Sequence, residues 1–293
     1  MVKSDHIFRS CLYMPSDNKK LLAKSSELQT DCVIFDFEDA VAPEQKATAR
    51  AMLSEHLKTF DQTQKLVLVR VNAIGTSWFE EDVNFVADNF SFGIVLPKVE
   101  QPDDIIQLNM KLDQLGASDT LEIWAMIETA ASIADALSIA ATADNTRLTT
   151  FIFGTNDLAK ETGAPLIKGR ENMMPWLAQA TIAAKAHQLR VIDSVMQDFG
   201  DLDALANECQ QAIGLGMDGK SLIHPKQLEI ANKMFAPSQQ EIEWSRKIVN
   251  AFDSDENRNK AVIKIDNKMV EHLHFEMAKA LVARHEKISA KGF

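Results

Sequence analysis

The chain has 293 residues, 46% apolar and 25% charged, the balance of an ordinary soluble globular protein. Such a length suits one α/β barrel with a short extension and buries a large core without disulfides. The net charge of −11 argues against nucleic acid or an anionic membrane as the main partner, and no run approaches the ~20 apolar residues that span a bilayer.

Taken in chain order, short apolar runs alternate with amphipathic stretches. Eight runs have strand character: CLYMP (11–15), CVIFDFE (32–38), LVLVRVN (66–72), GIVLPKVE (93–100), EIWAMIE (122–128), TTFIFG (149–154), RVIDSV (190–195) and KSLIHP (220–225). Most are continuous rather than alternating, as for parallel strands covered on both faces. Helical signals separate them. Pro43 and Pro102 stand where a first helical residue belongs. Ser77 and Glu80 have the spacing of a capping box. Ile105, Leu108, Leu112 and Leu115 form a helical stripe, as do Ile133, Leu137 and Ala140. Pro175 opens a helix through about Leu189, and Asp201 is the N-cap of another over 202–212. Eight strand–helix units in succession predict a closed (β/α)8 TIM barrel over residues 1–235.

Residues 236–293 read as a C-terminal extension acting as a lid or oligomerisation element. Ser238 and Glu241 cap a helix, DSDENRNK (253–260) reads as a loop, and Asp266-Asn267 suggests a tight hairpin. A last helix is expected over roughly 271–287. Cys11, Cys32 and Cys209 show no metal or redox spacing. Reduced thiols and the absence of a leader-like apolar run at the start point to a cytoplasmic protein.

The active site of such a barrel lies at the C-terminal ends of its strands. The runs end in Asp36, Glu38 and Asp39, in Arg70 and Asn72, in Lys98 and Glu100, in Glu128, in Asn156 and Asp157, in Asp193 and Ser194, and in His224. Each alone is a strand meeting water; together they are a functional rim. Its carboxylates would repel one another unless a cation joins them, and Mg2+ takes one or two carboxylates plus waters and substrate oxygens. At least six rim carboxylates remain possible ligands on this reading. Arg70 is the natural clamp for a ligand carboxylate, with a structural ion pair to a rim acid as the competing reading. The seven histidines show no zinc-site spacing. His272 and His274 are expected on a helix surface. There is no GxSxG, Walker or GxGxxG motif. Arg9, Lys19, Lys20 and Lys24 form a basic cluster, most simply solvated side chains. The loop 162–174, with Gly163, Pro165 and Gly169, is a candidate wall of the substrate pocket.

Several segments are longer than chance would supply, notably FDFEDAVAPEQK and GKSLIHPKQ, with RSCLYMPSDNKKLLAKS, VRVNAIGT, VLPKVE, AMIETA, FGTNDLA and DNKMVE. In this order, over about residues 7–285, they resemble the citrate lyase beta-subunit-like branch of the HpcH/HpaI aldolase family, which includes malyl-CoA and citramalyl-CoA lyases. The resemblance implies a Mg2+-dependent barrel, usually trimeric or hexameric, acting on CoA or acyl-carrier thioesters. It implies Glu128 and Asp157 as metal ligands and Arg70 as holder of the oxo-acid carboxylate. Tyr13, Met14, Lys24, Ile223 and His224 would border the thioester, which favours a ligand role for part of the basic cluster. Glu38 and Asp39 would order the metal's waters. The family's tail commonly reads DGKMVD followed by a small residue and proline, its last aspartate serving a neighbouring subunit's site as acid or base. Here Glu271 takes that place and His272 follows. Glutamate keeps the carboxylate but adds a methylene, and a ~1 Å misplacement can cost ~10²-fold in rate.

The expected function is cleavage or formation of a 3-hydroxyacyl thioester such as malyl-, citramalyl- or citryl-CoA. Three alternatives remain: a citrate lyase beta subunit acting on a citryl carrier protein, a CoA-thioester binder with little lyase activity, and a direct oxo-acid aldolase that uses no thioester.

Overall fold

The computed structural model describes residues 6–61, 65–89, 92–254, 256–257 and 260–293. They fall into two compact units, one spanning Phe8–Asn232 and the other Lys233–Phe293.

In the first unit eight parallel strands close into a barrel in chain order. They are β1 (Ser10–Pro15), β2 (Cys32–Asp36), β3 (Leu66–Arg70), β4 (Gly93–Leu96), β5 (Glu122–Ile127), β6 (Leu148–Phe153), β7 (Arg190–Asp193) and β8 (Gly219–Leu222), with β8 pairing back onto β1. Each overlaps one of the eight apolar runs. Cys32 and Ile34, Leu66 and Leu68, and Trp124 and Met126 belong to one buried cluster. Side chains two apart share a strand face, so this cluster fills the barrel. The other face packs outward: Phe35 meets His56 and Phe60 edge to face. At the N-terminal end the buried charges are paired. Arg9 forks Asp31, and Glu122 accepts from Trp124, Thr149 and Arg190.

The helices begin where their capping residues stand. Gln101 and Asp104 form a capping box ahead of Pro102–Gln114. Asp201 accepts from the Ala204 amide at the start of Leu202–Gly214, and Pro175 sits in the first turn of Met174–Ala186. Pro43 opens a short 3-10 turn ahead of the helix Lys46–Leu57. The expected Ser77–Glu80 box gives way to a different start: the helix begins at Phe79, and Glu80 turns to Lys111 across the surface.

The second unit holds the helix Gln239–Asp253, capped by Ser238 and Glu241. Asp253 closes it, and residues 255, 258 and 259 of the expected polar loop lie outside the described residues. β9 (Val262–Ile265) and β10 (Lys268–Glu271) form an antiparallel hairpin. Its turn residues Asp266 and Asn267 have φ of 45° and 61°, the left-handed pair that a two-residue turn needs. The final helix, His272–Lys291, runs further than expected. Ile248, Phe252, Ile263, Ile265, Val270 and Ala278 form the core of this unit. No helix among the described residues is long and apolar enough to cross a membrane.

Candidate active site

A cleft of about 480 Å³ opens at the C-terminal ends of the strands. Tyr13, Met14, Asp39, Arg70, Glu128, Asp157 and Ile223, all singled out from the sequence, line it. Glu38 is buried and meets the lining through Arg70. Lys24 and His224 are not among the lining residues. Lys24 is exposed on the helix Lys19–Ser25. His224 caps the turn Pro225–Gln227, its Nδ1 accepting from the Lys226 amide, and stacks on Phe199 with ring centroids 4.3 Å apart. Glu271 precedes the final helix of the other unit, where its backbone N–H donates to His274 Nδ1 at 3.0 Å. The basic cluster divides too: Arg9 is buried against Asp31, whereas Lys19, Lys20 and Lys24 are exposed.

Register places the cleft's charged residues side by side. Asp36 on β2 lies opposite Arg70 on β3, and Arg70 donates from Nε and Nη2 to its two carboxylate oxygens at 2.7 and 2.6 Å. Arg70 Nη1 stands 2.9 Å from Glu38 and 3.6 Å from Asp39. The structural ion pair weighed from the sequence is therefore present, with Asp36 as its main partner. The fork uses two of the five guanidinium N–H groups, and the others face Glu38, Asp39 and the cleft. The Tyr13 ring packs 4.9 Å from the guanidinium. Burial pushes the Tyr13 phenol up, with Arg70 opposing and Asp36, Glu128 and Glu38 adding to the rise.

Lys98 links two buried carboxylates, Glu38 and Glu128. Its Nζ donates to Glu38 at 2.9 Å, and its backbone N–H donates to Glu128 Oε1 at 2.8 Å. The amide is aimed by a left-handed backbone, φ 54°, uncommon for a residue with a side chain. Glu128 is 1% exposed. Burial pushes its carboxyl up to about 8; the Lys98 amide opposes this, while Glu38 and Asp157 add to it. Gly154, just past β6, gives Glu128 its space: a Cβ there would collide with Glu128 Oε2 and Cβ. Asp157 stands in the first turn of the helix Thr155–Thr162, an end that favours negative charge.

This cleft suits a hard divalent cation. Asp36, Glu38, Asp39, Glu128 and Asp157 outnumber Arg70 and Lys98, and a carboxyl held near 8 by burial and like charge is stabilised as a carboxylate by a cation beside it. Among the described residues no group of three or more His, Cys, Asp or Glu is arranged to hold a metal. Two carboxylates with water and substrate oxygens are the usual Mg2+ donor set.

Two rim residues from the sequence prove structural. Asp193 at the end of β7 is fully buried and takes the Arg170 fork at 2.6 and 2.9 Å and Lys220 Nζ at 2.8 Å. Burial alone would raise its carboxyl, but Lys220 and Arg170 outweigh that and hold it below the usual range. Ser194 accepts from Thr155. Conversely, the sequence shows Lys98 only as a strand end and Asp36 only as one of several possible cation ligands, not as the partner of Arg70. Nothing in a sequence reports a left-handed lysine or a cross-strand register. Asn156 and Gln197 also line the cleft.

Residues 9–225 match the family model described as HpcH/HpaI aldolase/citrate lyase, and residues 171–288 match a C-C bond lyase of the TIM-barrel fold. A (3S)-malyl-CoA thioesterase of Cereibacter sphaeroides is 40% identical over 290 residues, 99% of each chain. The L-malyl-CoA/beta-methylmalyl-CoA lyase of that organism is 29% identical, covering 96% of each chain. Among solved structures, CitE from Mycobacterium tuberculosis in complex with magnesium, acetoacetate and coenzyme A superposes with a TM-score of 0.76. It is 26% identical, with 96% of this chain and 98% of that one covered.

Proposed function

Because the chain belongs to the HpcH/HpaI aldolase/citrate lyase family, we propose that it is a carbon–carbon lyase that cleaves, or in reverse forms, a 3-hydroxyacyl-CoA thioester. The products of cleavage are an acyl-CoA and an oxo-acid. The observation that carries the reading is the buried Glu128 carboxyl, pushed up to about 8 beside Glu38 and Asp157. A cleft that concentrates acids in this way suits a cation that binds oxo-acid oxygens. Magnesium and acetoacetate in the related CitE complex support this.

Glu128 and Asp157 would hold Mg2+. When bound, it supplies Lewis-acid polarisation of the substrate's hydroxyl and carboxylate oxygens. Arg70 presents its remaining N–H groups to the oxo-acid carboxylate, while Asp36 fixes the guanidinium plane. Glu38 and Asp39 order water around the cation, and Lys98 holds Glu38 and Glu128 in place. Tyr13, Met14 and Ile223 border the thioester, with Lys24 and His224 further along the carrier. As the carbon–carbon bond breaks, the hydroxyl proton leaves to a base and the bonding electrons pass to the thioester fragment. The thioester enolate so formed takes a proton at its α-carbon to become the acyl-CoA, and Glu271 of a neighbouring copy either accepts the hydroxyl proton as base or supplies the α-carbon proton as acid. Met269, Leu273 and Met277 flank it, exposed at 70%, 65% and 63%, an apolar face suited to a trimer or hexamer. The buried reduced cysteines fit a cytoplasmic protein. CoA is favoured over an acyl-carrier protein by the relatives named for CoA thioesters.

A second reading has a specific support. The relatives near 40% identity are named thioesterases, and glutamate stands where the family's tail carries aspartate. Water would then attack the thioester carbonyl and release the hydroxy acid and free CoA thiol. The two reactions separate in one assay: Mg2+ with (S)-malyl-, citramalyl- or citryl-CoA, following oxo-acid and free thiol together. Oxo-acid without thiol supports the lyase; thiol without oxo-acid replaces it with the hydrolase. Neither product, with CoA binding intact, leaves a binder only.

A further inference from the structure

The segment FDFEDAVAPEQK brings Asp36, Glu38 and Asp39 to the site, but its last residue, Lys46, has no part in the reading above. Lys46 opens the helix Lys46–Leu57, is 4% exposed and is not a wall of the cleft. Its ammonium donates to Phe37 O at 2.8 Å and to Glu38 O at 3.0 Å, and lies 4.9 Å from the centre of the Trp78 ring. An ammonium has three N–H donors, and two carbonyls and a ring face engage them. Burying such a charge is costly, and here it is spent on the backbone that carries Glu38.

Neither carbonyl depends on Lys46 for a partner. Asn72 Nδ2 also donates to Phe37 O at 3.1 Å, and the Val41 N–H donates to Glu38 O at 3.2 Å. Asn72 is itself held by Asp82, which Arg50 anchors at 2.7 Å. A methionine at position 46 would therefore leave no bare carbonyl. What Lys46 adds is fixed geometry. The Glu38 N–H donates to Asp36 Oδ1 at 2.9 Å, so with Lys46 on both carbonyls the two peptide groups flanking the Glu38 Cα are held. Only φ and ψ are soft between two planar peptides, so holding both peptides sets the direction of the side chain. That direction carries the Glu38 carboxylate to Arg70 Nη1 and Lys98 Nζ, each at 2.9 Å.

We propose that Lys46 is a positioning residue for the reaction: it grips the Phe37 and Glu38 carbonyls from outside the cleft and so holds Glu38 where its carboxylate orients Arg70 and the water around the cation. The proposal rests on the metal-dependent lyase reading above. It gives the conspicuous segment FDFEDAVAPEQK a single physical role, with acids at one end and the lysine that places them at the other.

The test is Lys46→Met in the full-length protein, with Mg2+ titrated calorimetrically and cleavage of (S)-malyl-, citramalyl- and citryl-CoA followed beside the native chain. The sign of the change in Mg2+ affinity separates placement from charge. Removing a positive charge near Asp36, Glu38 and Asp39 would by itself tighten a cation. Loosening a residue that orders the cation's water weakens it, by about 10–100-fold. The expected result is weaker Mg2+ binding and a kcat about 10–100-fold lower. KM for the thioester should stay within about threefold, as for a group that acts on the transition state, and the melting temperature should stay close to native. Lys46→Gln, which keeps an N–H for one carbonyl, should recover part of both losses. Mg2+ affinity unchanged or tighter overturns the proposal, as does a kcat that falls no further than the folded fraction. If neither variant folds, Lys46 is a strut of the fold and the proposal is overturned too. A native chain that binds Mg2+ but cleaves none of the thioesters overturns the lyase reading instead, and the affinity comparison still decides Lys46. No Mg2+ binding by the native chain overturns both.

Discussion

Two groups of charge sit at the C-terminal ends of the barrel strands, and they are built oppositely. Around β7 and β8, Asp193 and Glu208 meet Arg170 and Lys220, two acids with two bases, each within hydrogen-bonding reach. Around β2 to β6, the five carboxylates of Asp36, Glu38, Asp39, Glu128 and Asp157 outnumber the cations Arg70, Lys98 and Lys46. The outcome shows on the carboxyls: Asp193 is held below its usual range, and Glu128 is pushed up to about 8. A carboxylate at a strand end is therefore no evidence of function by itself. The local balance of charge separates an internal strut from a site suited to a cation.

The sharpest way to break this contrast is to remove one acid from each group. Asp193→Ala leaves Lys220 and Arg170 buried without their shared partner. It should cost roughly 3–5 kcal/mol of stability in urea denaturation, and any folded fraction should bind Mg2+ as before. Glu128→Gln should do the reverse. Glu128 has a folded pKa of about 8 against an ordinary 4.5, so its ionisation favours the unfolded chain. Metal-free protein should be most stable below pH 4.5 as far as this group is concerned, and lose that contribution as pH rises through 8. The shift corresponds to roughly 2–5 kcal/mol. Thermal melts in chelator across that window should fall for the native chain and stay flatter for Glu128→Gln. The variant's Mg2+ affinity should drop ~10²-fold or more. Matching pH profiles for the two proteins would remove Glu128 as the strained acid.

Gly154→Ala leaves both charge groups intact but drives a methyl into Glu128. The displaced carboxylate should lower kcat/KM by ~10²-fold, with a smaller change in melting temperature. Equal activity would mean that the placement of Glu128 has slack. Lys98→Met is the mildest test, since the side-chain tie to Glu38 is lost while the backbone N–H to Glu128 remains. A fall of about 10-fold in activity is expected, from looser second-layer contacts. A loss as large as that of Glu128→Gln would give the ammonium a direct role with substrate.

The barrel was legible because its signal is repeated eight times. Each apolar run needs only its own composition to be recognised, and a misjudged boundary shifts no neighbour. The hairpin at Asp266-Asn267 was legible for a local reason too, since the turn depends on two residues that tolerate positive φ. The Ser77–Glu80 box failed because a local motif competed with a distant partner: Glu80 turns to Lys111, 31 positions away in the chain. Arg9 likewise reads as one of four neighbouring basic residues, yet it starts the barrel wall and buries itself against Asp31.

The sequence by itself determined the eight-stranded barrel, the rim on which charge collects and, by its family motifs, seven of the residues that line the cleft: Tyr13, Met14, Asp39, Arg70, Glu128, Asp157 and Ile223. Strand periodicity and motif spacing are carried along the chain, so they survive without coordinates. Only the tertiary structure decided which rim acids neutralise which bases. Asp36 opposes Arg70 by cross-strand register, Lys98 reaches Glu128 through a left-handed backbone, and Asp193 closes on Arg170 and Lys220. Those pairings depend on distances of a few ångströms between residues tens of positions apart. At that range burial and Coulomb energy turn one carboxylate into a strut and another into a candidate metal ligand.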